Sequence, residues 1–428
     1  MASPGAFKVI RDPVWNNIQL DREALDVLDS PPFQRLRYIR QLGHAFLVYP
    51  GATHTRFEHA LGTYHLARRA LDILASRGEL VTIPDHEQTA VRLAALLHDI
   101  GHYPFSHALE EAGLPSHETM ARTHFQHPEL RAVLDRSGIP AIANQLSQLI
   151  SGTGGGPLGG LISGPLDLDK IEYLTRDARM TGVPYGAVDV DRLLHALTVV
   201  QMPDGSVAVG VRDKGVSALE SLVFARYQMY RNVYWHHAVR SATAMFKRVV
   251  RIAIAEDAVT AEWIATTTDE ALMERLRSLR DTTLADRLRN RVLYKRIIEV
   301  RGDQVPTQAD EWIAHHPDLV EAVENRIANE LGLAPGALLL DFPAKAHMLE
   351  TDLPVLTAHG TVEPLSGPES GERFGLQSVA QELYAGARHF RLFAVEPVDV
   401  DIRRVLEVLE HTKGEITADL QAGRTLVG

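Results

Sequence analysis

Glu87-Gln88-Thr89-Ala90-Val91-Arg92-Leu93-Ala94-Ala95-Leu96-Leu97-His98-Asp99-Ile100-Gly101 is the stretch on which the reading of this chain turns. Apolar side chains at Val91, Ala94 and Ala95 keep the spacing of one helix face, and the next position on that stripe is His98. The imidazole therefore points inward. Gly101 is a natural helix stop, which puts His98 and Asp99 in the last turn, about 100° apart and able to reach one ion. Upstream, Arg56 to Ala75 repeats the pattern, with Leu66, Ile73 and Leu74 on an apolar face and His59 in the first turns. Downstream, Asp169 stands in Asp167-Leu168-Asp169-Lys170. A bare His-Asp pair means little in a chain with 20 histidines, so it is placement at inward-facing helix ends that groups His59, His98, Asp99 and Asp169. Two imidazoles and two carboxylates suit a divalent transition metal and leave positions open for water and a phosphoryl oxygen.

Composition bounds the rest. With 428 residues and 45% apolar content the chain can bury a large core. The absence of cysteine excludes disulfides, thiolate-bound zinc, iron–sulfur clusters and thiol nucleophiles, so any metal site is built from histidine and carboxylate. No run approaches the roughly 20 apolar residues of a membrane helix, and the expectation is a cytoplasmic protein with no membrane association. A net charge of -11 has the wrong sign for coating duplex DNA, and an anionic ligand must be met by a local basic cluster. Arg35, Arg37 and Arg40 form one such cluster, and Arg56 adds a cation on the face of His59. Arg226, Tyr230 and Tyr234 fall at i, i+4 and i+8 and read as a nucleotide face or as an ordinary amphipathic helix.

The expected fold is mainly α: a helical core over residues 1–300 with a small β-hairpin at 198–211, followed by a smaller α+β C-terminal region over 301–428. Helices from 21 to 150 are broken at Pro31-Pro32, Pro50-Gly51 and Gly78. Ser151 to Gly164 is glycine-rich but lacks the Gly-Lys-Ser/Thr ending of a phosphate loop, and reads as a mobile lid or loop. Asp204-Gly205 between β-prone runs signals the hairpin. Leu338 to Leu340 and Phe390 to Val395 look like buried strands, and Val400 to Leu409 like a helix.

Asp12-Pro13, Pro32-Phe33-Gln34-Arg35-Leu36-Arg37, Gln41-Leu42-Gly43, Thr55-Arg56-Phe57-Glu58-His59, His98-Asp99-Ile100-Gly101-His102-Tyr103-Pro104-Phe105-Ser106-His107 and Asp167-Leu168-Asp169-Lys170-Ile171-Glu172-Tyr173 occur in this order. The series resembles the HD-domain deoxynucleoside triphosphate triphosphohydrolases, from about Asp12 to Arg251. The resemblance implies an enzyme that hydrolyses dNTPs to deoxynucleoside and inorganic triphosphate. It implies that His59, His98, Asp99 and Asp169 hold one transition metal (Fe, Mn, Zn or Ni), with Mg²⁺ accompanying the triphosphate. His102, His107, Glu110 and His117 match residues lining the phosphate and hydrolytic water, with His107 or His117 as proton carrier. Glu110 stands where an aspartate is familiar. Gln41 matches a contact to the sugar edge, Arg56 and Lys170 match phosphate contacts, and Tyr173, Asp177, Arg226, Tyr230 and Tyr234 match the pocket around sugar and base. A tyrosine against C2′ gives a steric reason to prefer deoxyribose. The family also implies a homo-oligomer, dimer or tetramer, in which the Arg35/Arg37/Arg40 cluster could face a junction between subunits, and in some members a nucleotide effector bound near residues matching Asp29, Gln34 and Arg37. Here Asp12-Pro13 is followed by Val14-Trp15-Asn16-Asn17 where His-Gly is frequent, a departure at the region some members use for the effector. Rival readings are another HD phosphohydrolase, acting on nucleoside monophosphates or alarmones, and a non-catalytic nucleotide or nucleic-acid sensor.

Overall fold

The computed structural model describes residues 8–154, 156–306, 308–343, 353–365, 382–384 and 386–428. An antiparallel hairpin, β1 (Lys8–Asp12) and β2 (Asn16–Leu20), opens the chain and leads into α1 (Arg22–Leu28) and α2 (Pro31–Gln34). Pro31 starts a helix here instead of only ending one, because its fixed φ and missing N–H suit the first helical turn. α3 (Arg56–Ser76) begins at Thr55, whose backbone N–H donates to the Glu58 carboxylate at 2.5 Å. It packs on α4 (Asp85–Leu97), and α5 (His117–Phe125), α6 (Pro128–Arg136) and α7 (Ile142–Ser151) follow.

The glycine-rich stretch, read as a mobile lid or loop, contains short helical turns. Apart from Gly155, which lies outside the described residues, it holds helical turns at Gly156–Leu158 and in α8 (Gly160–Ser163), with Leu158 and Leu161 buried. Apolar side chains between the glycines anchor it to the core.

α9 (Leu168–Thr181) and α10 (Val190–Ala196) precede the hairpin of β3 (Leu197–Gln201) and β4 (Val207–Arg212). That hairpin is half of a larger sheet. β7 (Pro354–Leu356) pairs parallel to β4, with Val211 opposite Val355, and β8 (Val362–Pro364) closes the order β3-β4-β7-β8. α11 (Val216–Met229) runs into a π-helical turn, Tyr230–Tyr234, before α12 (His237–Ala255). α13 (Ala261–Thr266), α14 (Asp269–Leu276) and α15 (Thr283–Arg289) pack about α12. Toward the C-terminus, β5 (Lys295–Arg301) and β6 (Leu338–Asp341) flank β9 (His389–Ala394) in an antiparallel sheet. Around it lie α16 (Gln308–Ile313), α17 (Pro317–Glu330), α18 (Ile402–Glu410) and α19 (Lys413–Gln421), over a core holding Trp312 and Phe390. The protein is thus mainly α, with an α+β C-terminal region. Among the described residues no helix is long and apolar enough to cross a membrane.

Candidate active site

Three helices converge on one point. α3 carries His59 at 0% exposure, α4 ends so that His98 is its C-cap with Asp99 just beyond, and the first turn of α9 carries Asp169. The helix stops at Leu97, so His98 and Asp99 lie just beyond its last turn instead of within it. Gly101 is required for a further reason: a Cβ there would stand 2.0 Å from the backbone oxygen of His117.

The Nε2 atoms of His59 and His98 face each other at 3.1 Å. Asp169 Oδ1 lies 2.9 Å from His59 Nε2 and 3.5 Å from His98 Nε2, while the Asp99 oxygens lie 3.5 and 3.3 Å from the same two nitrogens. Ligand atoms about 2.1 Å from a shared ion sit about 3.0 Å apart at right angles and about 3.4 Å apart in a tetrahedron. The spacing of His59, His98 and Asp169 therefore fits a divalent ion, with Asp99 at its edge and its two oxygens engaged by Arg56 and His102. Each imidazole is also turned correctly from behind, since His59 Nδ1–H donates to Glu172 Oε2 at 2.5 Å and His98 Nδ1–H to the Ala95 carbonyl at 2.9 Å, which leaves both Nε2 lone pairs directed at the centre. Electrostatics agree. Burial alone would lower both imidazoles, yet Glu172, Asp169 and Asp99 carry His59 up to about 10, and Asp99 and Asp169 raise His98. The centre calls for positive charge.

A second cluster shares Asp99. His102 Nε2–H donates to Asp99 Oδ1 at 3.1 Å, and its ring stacks on His117 with centroids 3.8 Å apart. Glu110 accepts from His107 Nδ1–H at 2.9 Å, from His117 Nδ1–H at 2.7 Å and from the His117 backbone N–H at 2.9 Å. The longer carboxylate does reach both rings. Burial, Arg56 and His117 push His102 well below the usual range, so it is neutral near neutral pH. Against some desolvation, Glu110 raises His107, which is the solvent-facing member of the set. These four residues could also hold an ion.

Around the two clusters lies a wall of polar aromatics. Tyr234 OH donates to Asp177 Oδ2 at 2.8 Å, His54 Nε2–H donates to Asp177 Oδ1 at 2.7 Å, and the Tyr173 and Tyr230 rings stand 6.2 and 5.0 Å from Tyr234. Arg226 sits 5.5 Å over the Tyr230 ring. Gln41 is buried, with its Oε1 lacking a hydrogen-bond partner among the described residues. The cations are less free than the sequence suggests. Arg56 donates to Asp99 Oδ2 at 2.5 Å and to Ser106 Oγ at 2.9 Å, and Lys170 to Asp167 Oδ2 at 2.6 Å and the Gly164 carbonyl at 2.9 Å.

The three arginines of the Arg35/Arg37/Arg40 cluster part ways, Arg37 staying exposed and Arg40 half-buried. Arg35 is buried, donating to the carbonyls of Thr267, Ile100 and His102, while Arg40 pairs with Asp269 and Glu270 and Arg37 lies 3.4 Å over the Phe57 ring. Arg35 and Arg40 thereby join the segment around Ile100 and His102 to the start of α14. Of the residues matched to an effector site, Gln34 donates to the Leu28 carbonyl, Arg37 donates to Gln34, and Asp29 caps α1.

Sequence reasoning missed His54, Ser106, Glu172 and Asp269. Glu172 had a signal, lying three residues after Asp169 on one helix face. Asp269 had none: it arrives from α14 to accept from the backbone N–H of Phe105 and of Arg40. There it ties down Phe105 and Ser106, both at positive φ, just before His107.

Comparison with known proteins yields a consistent picture. The HD domain family matches residues 56–149, and the HD associated region matches residues 188–366. An uncharacterized protein of Methanocaldococcus jannaschii is 38% identical over 328 residues, covering 76% of this chain and 67% of its own length. The deoxynucleoside triphosphate triphosphohydrolase SAMHD1 of Homo sapiens is 29% identical over 269 residues, 54% of this chain and 42% of its own. The chain thus spans less than half of the human protein. In fold, the crystal structure of a phosphohydrolase from Bacteroides thetaiotaomicron superposes with a TM-score of 0.71 at 24% identity, over 91% of this chain and 100% of that one.

Proposed function

Since the chain belongs to the HD-domain, dNTPase-like family, we propose that it is a metal-dependent dNTP triphosphohydrolase releasing deoxynucleoside and intact inorganic triphosphate. The observation that carries the reading is the convergence of His59, His98, Asp99 and Asp169 beside a proton-handling cluster that shares Asp99. In this reading those four residues hold one divalent ion, which would supply Lewis acidity at the α-phosphoryl group.

The protein's own groups do the rest. His107, raised by Glu110 against desolvation, faces solvent and is the proton donor to the departing 5′-oxygen. His117, fixed through both its backbone and its ring by Glu110, orients the attacking water, and neutral His102 holds Asp99 in place. Arg56, Lys170 and Arg226 lend positive field to the triphosphate. Gln41 offers a buried, unpartnered amide oxygen to a sugar hydroxyl. Tyr173, Tyr230 and Tyr234, the last pinned through Asp177, wall the sugar and base. The division into a catalytic core over 1–300 and a C-terminal region over 301–428, cytoplasmic residence and assembly as a homo-oligomer belong to the same proposal.

The deciding experiment incubates the protein with each dNTP and rNTP in Mn²⁺ or Mg²⁺ and identifies the products. Triphosphate with deoxynucleoside is expected. Monophosphate with pyrophosphate, or turnover restricted to monophosphates or alarmones, would overturn the substrate assignment. Elemental analysis of Asp169→Ala should show loss of the transition metal, and full occupancy in that variant would remove Asp169 from the ligand set.

A further inference from the structure

Trp15, in the turn of the N-terminal hairpin, donates its indole N–H at 2.8 Å to Oε1 of Glu172, 157 residues further along the chain. Glu172 has 0% exposure, and its other oxygen takes the Nδ1 proton of His59. We infer that Trp15 and Glu172 are positioning residues that brace His59, making the N-terminal hairpin a working part of the metal centre. The inference rests on the reading of His59 as a metal ligand.

The brace closes on itself. Arg176 Nε donates to Glu172 Oε1 at 2.8 Å, and Arg176 Nη1 to Asp12 Oδ2 at 3.0 Å. The other Asp12 oxygen accepts from the backbone N–H groups of Val14 and Trp15, each at 2.8 Å. Asp12 thus shapes the turn that presents Trp15, and both Trp15 and Arg176 fix one oxygen of Glu172. The opposite oxygen is left aimed at His59. Space for this is provided from α3. Gly62 lies one turn after His59, and a Cβ there would stand 2.0 Å from Glu172 Oε1 and 2.7 Å from Trp15 Nε1. Only a glycine lets a carboxylate and an indole meet behind the histidine.

The chemical consequence is a fixed tautomer. With its proton held on Nδ1 by Glu172, His59 presents the Nε2 lone pair toward Asp169 and His98. Arg176 supplies the charge that offsets Glu172, and the indole adds a second, neutral hydrogen bond to the same oxygen. Outer partners of this kind typically change metal affinity about 10- to 100-fold when removed.

Trp15→Phe tests the brace, since it keeps an aromatic ring in the turn while removing the indole N–H and part of the bicyclic ring. Apparent zinc affinity is measured by chelator competition, and the Nδ1–H resonance of His59 is followed by ¹⁵N-edited NMR in the zinc-loaded protein. The expected result is a loss of about 10- to 100-fold in affinity together with a shifted or exchange-broadened His59 Nδ1–H, at a nearly unchanged metal-free melting temperature. Glu172→Asp, which shortens the arm and leaves the hairpin alone, is the second variant and should show the same pair of changes. Unchanged affinity and an unchanged His59 resonance in the variants, with zinc bound by the wild type and lost in Asp169→Ala, would overturn the brace alone. A wild type that binds no zinc would overturn the metal reading and the brace with it.

Discussion

The sugar wall can be weakened by removing one atom. In Tyr234→Phe the ring keeps its edge contacts to Tyr230 and Tyr173, at 5.0 and 6.2 Å, and loses only the hydroxyl that donates to Asp177 Oδ2 at 2.8 Å. Asp177 is buried and retains the hydrogen bond from His54 at 2.7 Å, so one of its two side-chain partners disappears. A hydrogen bond to a charged, buried acceptor contributes about 1.5 to 3 kcal/mol. If that energy holds the ring rigid against C2′, sugar discrimination should fall by about 10- to 150-fold. The assay is kcat/KM for dGTP and for GTP, read as released triphosphate, with metal content and melting temperature as controls. Metal content should stay near wild type, because the hydrogen bond and ring contacts of Tyr234 go to Asp177, Tyr173 and Tyr230, while the melting temperature should fall by no more than the lost hydrogen bond accounts for. A variant that keeps its dGTP/GTP ratio within about twofold would refute pinning through Asp177, and a wild type that cleaves both alike would refute the wall itself.

Other perturbations test the scaffold. His44 is buried between Phe105 and Phe246, at 4.4 and 5.0 Å, and burial with Arg40 nearby lowers it to about 3. The unfolded chain takes up that proton below about 6.5 and the folded one does not until about 3, so stability is complete above this window and lost as pH falls through it, by up to about 5 kcal/mol. His44→Leu should flatten this acid slope in urea titrations at a series of pH values, and an unaltered slope would assign it to other groups. Arg176→Met leaves Asp12 and Glu172 buried without their shared cation and should cost about 3 to 5 kcal/mol in urea unfolding. A loss well under about 1 kcal/mol would show that the two carboxylates find other compensation. Gly101→Ala drives a Cβ to 2.0 Å from the His117 backbone oxygen, so turnover should collapse while elemental analysis still finds the metal; equal loss of both would mean that α4 and α5 shift together.

Much of the centre was legible because its residues obey helical periods. His98 continues the stripe of Val91, Ala94 and Ala95, and Asp169, Glu172, Tyr173, Arg176 and Asp177 repeat at three and four residues along α9. The same rule misleads at Arg226, Tyr230 and Tyr234. They do gather on one side, but through a π-helical turn over Tyr230–Tyr234, which no local propensity announces. Nor could the arginine cluster be interpreted locally. Arg35 spends its guanidinium on three carbonyls far away in sequence, and nothing in Phe33–Arg40 distinguishes that from a phosphate site. Glycine carried information that sequence alone cannot decode: Gly101 reads as a helix stop, whereas its missing side chain admits the next helix, and Gly62 inside α3 reads as a flaw until Glu172 and Trp15 are seen filling its place.

The C-terminal sheet is tied to the neighbour of Glu110 through Arg240, with Lys247 beside it. Arg240 on α12 donates from Nε and Nη2 to Asp341, at the end of β6, at 2.9 and 2.5 Å, and from Nη1 and Nη2 to Glu111 at 2.9 and 2.8 Å. Burial by itself would raise Glu111, but Arg240 and Lys247 hold it well below the usual carboxylate range, so the pair is fully ionised. Glu111 is the neighbour of Glu110, which grips His107 and His117. A guanidinium bound on two edges is a stiff connector, because each edge fixes the plane of the other. Any displacement of β6 is therefore felt one residue from the proton-handling cluster, while the ligand histidines on α3 and α4 are braced from the opposite side by the N-terminal hairpin. In the proposed reading the N-terminal hairpin thus bears on His59 and the C-terminal sheet on Glu110 and its two histidines.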